Sequence, residues 1–388
     1  MGVNRKRVKF YIYYFLIFTV LFVSVSTVVQ AAPSVSSQRA ILMDQETGRI
    51  LYEKDAHSQS RIASITKIMT AILAVESGKM DEEVTVSSNA AGTEGSSLYL
   101  KAGEKIKLED LVYGLMLRSG NDAAVAIAEF VGGSLDGFVY MMNEKANEIG
   151  MEQTHFSNPH GLDDHEDHYS TAYDMAVLTR YSMENDLYKE IAGTKVHTAP
   201  NPEEKWDRKW KNKNRLLTEL YKYSTGGKTG YTKLAKRTLV STASKDGENL
   251  IAVTLNGPDD WNDHIGMFEY GFKQFDYKIA LEKGKIEKMD DKVYKNHAYI
   301  KRESVLTLTD KEVGKVKVEY KMLKPKQEWL KGQNVPDVVG KAVVYVGDKE
   351  VDTLPIFYKT TGEEKKEKSW WKFWAYSFES IIGVRDNG

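Results

Sequence analysis

Apolar residues alternate or recur at helical spacing along most of the chain. Residues 40–44 (Ala-Ile-Leu-Met-Asp) and 49–52 (Arg-Ile-Leu-Tyr) read as two short strands joined by a turn at Glu46-Thr47-Gly48. Between Arg61 and Leu73 the apolar positions Ile65, Ile68, Met69, Ile72 and Leu73 follow the i, i+3, i+4 rhythm of a helix. Packing of that stripe predicts that Ser64 and Lys67, three residues apart, meet on a neighbouring face, with Ala71 keeping their edge open towards a cleft. Ser77-Gly78 ends the pattern, residues 83–86 form a candidate strand, and helical spacing resumes over residues 108–117. Ser119-Gly120-Asn121 separates that segment from a second helical run at 122–128, so it is expected to be a loop that aims Ser119 and Asn121 into the cleft. A further helix starts at Ser170 or Thr171, either of which can cap it, with Met175, Val177 and Leu178 as its apolar positions.

Residues 200–213 carry charge and tryptophan without clear period and are expected to form an exposed excursion. Lys228-Thr229-Gly230 then leads into β-rich runs at 238–243 and 250–255, which the turn signal Lys245-Asp246-Gly247-Glu248 joins as a hairpin. A strand at the cleft edge presents a cation, a hydroxyl and a bare glycine to an extended peptide. Past Phe275 the pattern changes to alternation and tight turns, as at 305–308, 316–320 and 342–351, which predicts a small all-β domain, a β-sandwich, over about 285–360. The expected divisions are therefore 1–31, 32–284, 285–360 and 361–388.

The ends of the chain alter this picture. Arg5, Lys6, Arg7 and Lys9 precede an apolar run over residues 10–29, followed by Val29-Gln30-Ala31, the pattern of a secretory signal; an uncleaved anchor is the alternative. Cleavage before Ala32 takes the net charge from -1 to -5, which argues against a nucleic-acid partner. After a charged spacer at 363–368, Trp370, Trp371, Phe373, Trp374, Phe378, Ile381 and Ile382 fall on one helical face, with Lys372 and Glu379 opposite. Residues 369–384 read as an interfacial helix lying on a membrane surface, or else as a terminal helix packed on its own domain. The expected location is the outer face of the cytoplasmic membrane, reached by export, with peripheral attachment. With 0 cysteines the chain has no disulfide, thiolate or cysteine-zinc chemistry, so catalysis rests on oxygen and nitrogen groups.

Ser-x-x-Lys on a buried helix supplies a nucleophile and, if burial or a nearby cation lowers the amine pKa, a base. The pair Ser64/Lys67 is not unique, since Ser369/Lys372 repeats the spacing, and Ser87-Ser88-Asn89 repeats Ser-x-Asn. Ser64/Lys67, Ser119/Asn121 and Lys228-Thr229-Gly230 are singled out by occurring together and in order. His160, His165 and His168 lie among carboxylates at 158–168, but their spacing and the Pro/Gly content suit a loop flooring the cleft better than a metal site.

With Ser-Gly-Asn-Asp at 119–122, Asn-Pro-His-Gly-Leu at 158–162 and Lys-Thr-Gly-Tyr-Thr at 228–232, the chain resembles the low-molecular-mass penicillin-binding proteins that act as serine D-alanyl-D-alanine carboxypeptidases. Residues 236–240 and 258–264 resemble the sporulation-associated branch in endospore formers. The resemblance implies an α/β penicillin-binding (serine β-lactamase-like) domain, an antiparallel sheet flanked by helices, followed by the small all-β domain. It implies removal of the terminal D-alanine from peptidoglycan stem peptides through an acyl-enzyme on Ser64, acylation by β-lactam antibiotics, and no metal or organic cofactor. Lys67 is then the base, Ser119 the proton relay to the leaving D-alanine, and Lys228 the cation that depresses Lys67. Asn121 is assigned to the substrate amide, Thr229 to the terminal carboxylate, Gly230 to the strand edge, and the N–H groups of Ser64 and Tyr231 to the oxyanion. The loop at 256–261 lacks the arginine many relatives carry for the carboxylate, and Arg237 is the expected substitute. A β-lactamase is the alternative within the fold, though no Glu-x-x-x-Asn stands where its deacylating base belongs and Glu166 has the wrong context. A non-catalytic peptidoglycan-binding protein is the alternative outside enzymes.

Overall fold

The computed structural model describes residues 32–359 apart from 202, 203, 288, 290 and 332, so the leader (1–31) and the spacer and aromatic tail (361–388) lie outside the described residues. Two compact units divide between Asp276 and Tyr277, ahead of the expected 284/285 boundary. The strand Asp276–Leu281 pairs with Ser304–Leu308, which commits its residues from Tyr277 on to the second unit.

The first unit is built on a five-stranded antiparallel sheet. Its strands are β1 (Arg39–Asp44), β2 (Ile50–Lys54), β3 (Ser224–Thr232), β4 (Lys236–Lys245) and β5 (Glu248–Leu255), in the spatial order β2-β1-β5-β4-β3. Strand alternation sends successive residues to opposite faces, and both faces are covered. Ile41, Met43, Ile251 and Val253 enter one hydrophobic core, while Ala40, Leu42, Leu250 and Ala252 enter another. The first core takes its helices from α1 (Lys67–Glu76), α2 (Leu108–Arg118), α3 (Asn121–Gly132), α4 (Leu135–Glu148), α5 (Ala172–Ser182) and α6 (Asp186–Gly193). The second is closed by Met267 and Phe268 of α7 (Asp260–Gln274). Thr171 caps α5 through its side chain, which accepts from the Asp174 N–H.

Three elements differ from the sequence reading. The Ser64 segment is a 3₁₀ turn, Ala63–Thr66, running into α1 at Lys67. α1 is buried on every side through Val75, and Ala71 lies inside the core instead of opening an edge. Residues 204–207 are exposed, as expected of the 200–213 segment, but Arg208–Lys211 pairs with Val196–Ala199 as a hairpin. Buried Arg208 and Trp210 alternate there with exposed Lys209 and Lys211, and the Arg208 guanidinium donates to buried Glu104. That ion pair hides the alternation behind charged letters. Lys228-Thr229-Gly230 lies inside β3 instead of preceding it.

The second unit is all β. A five-stranded sheet contains β6 (Gly284–Lys285), β7 (Ala298–Ile300), β8 (Val316–Met322), β9 (Val338–Val346) and β10 (Lys349–Tyr358), in the order β6-β7-β10-β9-β8. Leu306 and Leu308 of the two-stranded sheet share its core with Ala342, Val344, Leu354 and Ile356.

Candidate active site

The site forms where the 3₁₀ turn, the α2–α3 junction, the 158–168 loop and edge strand β3 converge. Ala63 has a φ of +51° and Ser119 one of +67°, left-handed conformations that ordinary side chains adopt only under constraint. The constraint on the turn is visible. Ser157 N–H donates to His168 Nδ1 at 3.1 Å, which makes Nε2 the protonated nitrogen, 2.8 Å from Thr66 Oγ1; Thr66 in turn donates to the Ala63 carbonyl at 2.8 Å. From the sheet side, Thr238 Oγ1 donates to the Ile62 carbonyl at 2.9 Å. Nucleophile candidate Ser64 is thus mounted between the loop and the sheet.

Lys67 is fully buried, and its Nζ reaches Ser64 Oγ at 3.0 Å, Asn121 Oδ1 at 2.8 Å and the His160 carbonyl at 2.6 Å. Burial, followed by the charges of Lys228 and then Lys213, drives its pKa well below the usual lysine range; Asp122 opposes the shift. Lys228 donates to Ser119 Oγ at 3.0 Å and to the Thr229 carbonyl at 2.7 Å. Burial, with Lys213 adding to it, pulls Lys228 down to about 7. Gly230 lets β3 pass over the nucleophile: a Cβ there would fall 2.4 Å from Thr238 Oγ1 and 2.9 Å from the Ser64 nitrogen. Tyr231 follows and is 65% exposed, so its ring stands clear at the cleft edge. Thr229 is half-buried on the same strand.

Two assigned residues stand differently from expectation. Asn121 is held within the protein at both ends of its amide, its oxygen on Lys67 and one hydrogen of its nitrogen on the Glu94 carbonyl at 2.6 Å. Arg237, directly opposite Tyr231 in the β3–β4 ladder, turns to buried Asp260, donating at 3.1 and 2.6 Å, and its guanidinium lies 5.4 Å from the Trp261 ring centroid. Any substrate carboxylate at Arg237 shares it with Asp260. In the 158–168 loop, His160 is pushed down to about 3 and His168 to about 4, each mainly by burial. Among the described residues no group of three His, Cys, Asp or Glu side chains is arranged to hold a metal ion.

The sequence reading missed Lys213 and Asp122. Lys213 is exposed at the surface, with Nζ 3.4 Å from Ser96 Oγ. Its flanking Asn212 and Asn214 fix the turn: Asn212 Oδ1 accepts from Asn214 N–H and Asn214 Oδ1 from Leu216 N–H. That Asn-x-Asn pattern is a legible turn signal. Buried Asp122 accepts from Ser97 Oγ and from the N–H groups of Leu98, Leu100 and Ala123. It shapes the 96–100 loop, whose Ser96 carbonyl accepts from Asn121 N–H at 2.7 Å.

A helix-flanked antiparallel sheet with a serine and a depressed lysine at its edge strand defines a serine acyl-transfer hydrolase of the penicillin-recognising class. The profile of the peptidase S11 family, D-alanyl-D-alanine carboxypeptidase, matches residues 26–259. The chain belongs to this family of serine-type carboxypeptidases that act on peptidoglycan. It is 35% identical over 302 residues to the D-alanyl-D-alanine carboxypeptidase DacF of Bacillus subtilis, spanning 74% of this chain and 76% of the relative. The crystal structure of penicillin binding protein 5 from Haemophilus influenzae superimposes with a TM-score of 0.68 at 26% identity, covering 84% of this chain and 98% of that one. A D-alanyl-D-alanine carboxypeptidase from Mycobacterium tuberculosis gives 0.60 at 29% identity, covering 64% of this chain and 95% of its own.

Proposed function

We propose that Ser64 is the nucleophile and Lys67 the base of this carboxypeptidase, forming an acyl-enzyme with the penultimate D-alanine of a stem peptide. The observation that carries this reading is the set of three contacts on the Lys67 amine. A neutral amine has two hydrogens and one lone pair. The carbonyl oxygens of Asn121 and His160 take the hydrogens, at 2.8 and 2.6 Å, and the lone pair is left for the Ser64 hydroxyl at 3.0 Å. Ser64 Oγ attacks the carbonyl between the two terminal D-alanines while its proton passes to Lys67, giving a tetrahedral oxyanion for the N–H groups of Ser64 and Tyr231. Ser119, held by Lys228, delivers its proton to the departing D-alanine and takes up the one that Lys67 accepted from Ser64, and water then releases the shortened peptide. Thr229 receives the terminal carboxylate, with Arg237 secondary because Asp260 already holds it. Glu166, the acidic residue to consider for a β-lactamase, is exposed.

The enzyme works outside the cytoplasm, held at the outer face of the membrane by residues 369–384, and trims vegetative or spore-cortex wall. Labelled penicillin tests the chemistry: a stoichiometric label on the chain that is lost in Ser64→Ala is expected, and a label that survives that substitution rejects the assignment.

A further inference from the structure

The two units carry opposite charge. Residues 32–276 contain 27 Lys and Arg against 37 Asp and Glu, a net of -10, whereas residues 277–359 contain 18 against 13, a net of +5. Part of this excess lies on one face of the five-stranded sheet. Val318 and Tyr320 of β8, Ala342 and Val344 of β9, and Leu354 and Ile356 of β10 turn into the core. Alternation therefore sends Lys317, Glu319 and Lys321, Lys341, buried Val343 and Tyr345, and Thr353, Pro355 and Phe357 to the other side.

On that outer face Lys321 stands directly opposite Lys341 in the β8–β9 ladder. The pair places two positive charges side by side on this face, where an anion can meet both. Lys321 also reaches the Tyr345 hydroxyl at 3.2 Å, and Lys301 lies 4.0 Å from the Phe357 ring centroid. Two carboxylates are close by and both are engaged: Glu319 accepts from Lys317 at 2.6 Å and Glu350 from Thr353 at 2.7 Å. Lys301, Lys321 and Lys341 are all exposed, and Tyr299, Tyr345 and Phe357 are half-buried among them. Lysines interleaved with partly exposed aromatic rings match the two layers of a lipid headgroup region, anionic phosphate outside and a boundary that suits aromatic rings beneath.

We propose that this sheet face docks on the anionic surface of a bilayer, resting on the reading above that the enzyme works at the membrane. The position of the tail favours lipid over an anionic wall polymer. The chain leaves the same sheet at Tyr358, and Trp370 follows after a stretch that spans at most about 40 Å when fully extended. An aromatic segment seated in the bilayer thus keeps the cationic face within reach of the headgroups. The first unit, at -10, is repelled by the same surface.

The test uses the chain from Ala32 to Gly388, with both units and the tail, and vesicles of phosphatidylcholine alone or with one-third phosphatidylglycerol. Each lysine near an anionic surface strengthens binding about fivefold, so Lys321→Gln with Lys341→Gln should weaken partition onto the phosphatidylglycerol vesicles about 25-fold. Binding to phosphatidylcholine alone and acylation by penicillin should stay unchanged, which shows that tail and fold are intact. Lys105→Gln with Lys107→Gln makes the same charge change on exposed positions of the first unit and should have little effect. Equal losses in the two double variants would reduce the effect to net charge and overturn the proposal. Equal binding of the unsubstituted chain to both vesicles overturns it while leaving the membrane reading intact, and binding to neither overturns both. Loss of binding to poly(glycerol phosphate) with vesicle partition unchanged would assign the face to wall polymer instead.

Discussion

As the proposed base, Lys67 acts only while it is neutral, and burial and other cations both lower its pKa towards that state. Lys213 contributes to this from a turn far away in sequence, since its charge depresses both Lys67 and Lys228. Replacing Lys213 with Gln removes one repulsion, so both lysines hold their protons to higher pH. The active form requires Lys67 deprotonated, and the acid limb of the kcat/KM profile for D-alanine release should therefore move to higher pH. At neutral pH the rate should fall a few-fold, while Lys213→Arg keeps the charge and should keep the limb in place. An acid limb that is the same in Lys213→Gln as in the unsubstituted enzyme would remove Lys213 from the electrostatics of the base. Ser64, Lys67, Ser119 and Lys228, whose side chains the structure brings together, stand out in the sequence through short spacings and the order of three motifs. The contacts of Lys213, Asp122 and Asn121 do not, because each depends on partners that folding supplies. Arg237 shows the same limit: the letter promised a free cation, and Asp260 claims it.

At the scale of elements, periodicity locates α1, α2, α3, α5 and the central strands of the first sheet, passes over α4, α6 and α7, and misjudges two kinds of place. One is the start of α1, where the helical stripe runs through Ser64 although the left-handed Ala63 and the 3₁₀ turn precede the helix. The other is the 196–211 hairpin, where a buried Arg208–Glu104 pair imitates surface composition. The turn at Ser64 owes its shape to the loop behind it. Gly161 has a φ of +83°, and a Cβ there would fall 1.9 Å from the Ala63 carbonyl oxygen and 2.8 Å from Thr66 Oγ1. Backbone cannot swing aside as a flexible side chain can. Gly161→Ala should push the loop off the turn, moving the His160 carbonyl away from Lys67 and Ala63 away from its left-handed conformation. The expected result is a loss of roughly 2–4 kcal/mol in stability by thermal or urea unfolding, from strain and overpacking together. Penicillin acylation should fall at least about tenfold in the fraction that remains folded, since misplacing a catalytic group by an ångström costs up to a hundredfold. Full acylation rates with unchanged stability would show that the loop does not set the turn.

On the scale of the whole molecule, every candidate catalytic and substrate-binding residue, from Ser64 to Arg237, belongs to the first unit, and so do both of its hydrophobic cores. The second unit has its own core, from Ile286 to Ile356. The carboxypeptidase from Mycobacterium tuberculosis matches 64% of this chain with 95% of its own length, a span the size of the first unit alone. The chemistry should therefore survive without the β unit. A chain from Ala32 to Lys283 retains Phe275, which is buried in the core under α7, and ends before β6. It leaves Asp276–Leu281 without its partner strand, so those residues should be unprotected in hydrogen exchange. The truncated chain should unfold in one transition, bind labelled penicillin stoichiometrically and release D-alanine from a soluble pentapeptide at a rate within about threefold of the longer chain, because no group that touches the substrate is removed. The longer chain should show a second transition that vanishes on truncation, as two separately cored units require. If the truncated chain is unfolded, or folded but not acylated, the β unit is part of the machinery that holds the Ser64 turn in place, and the division of labour between the two units is wrong.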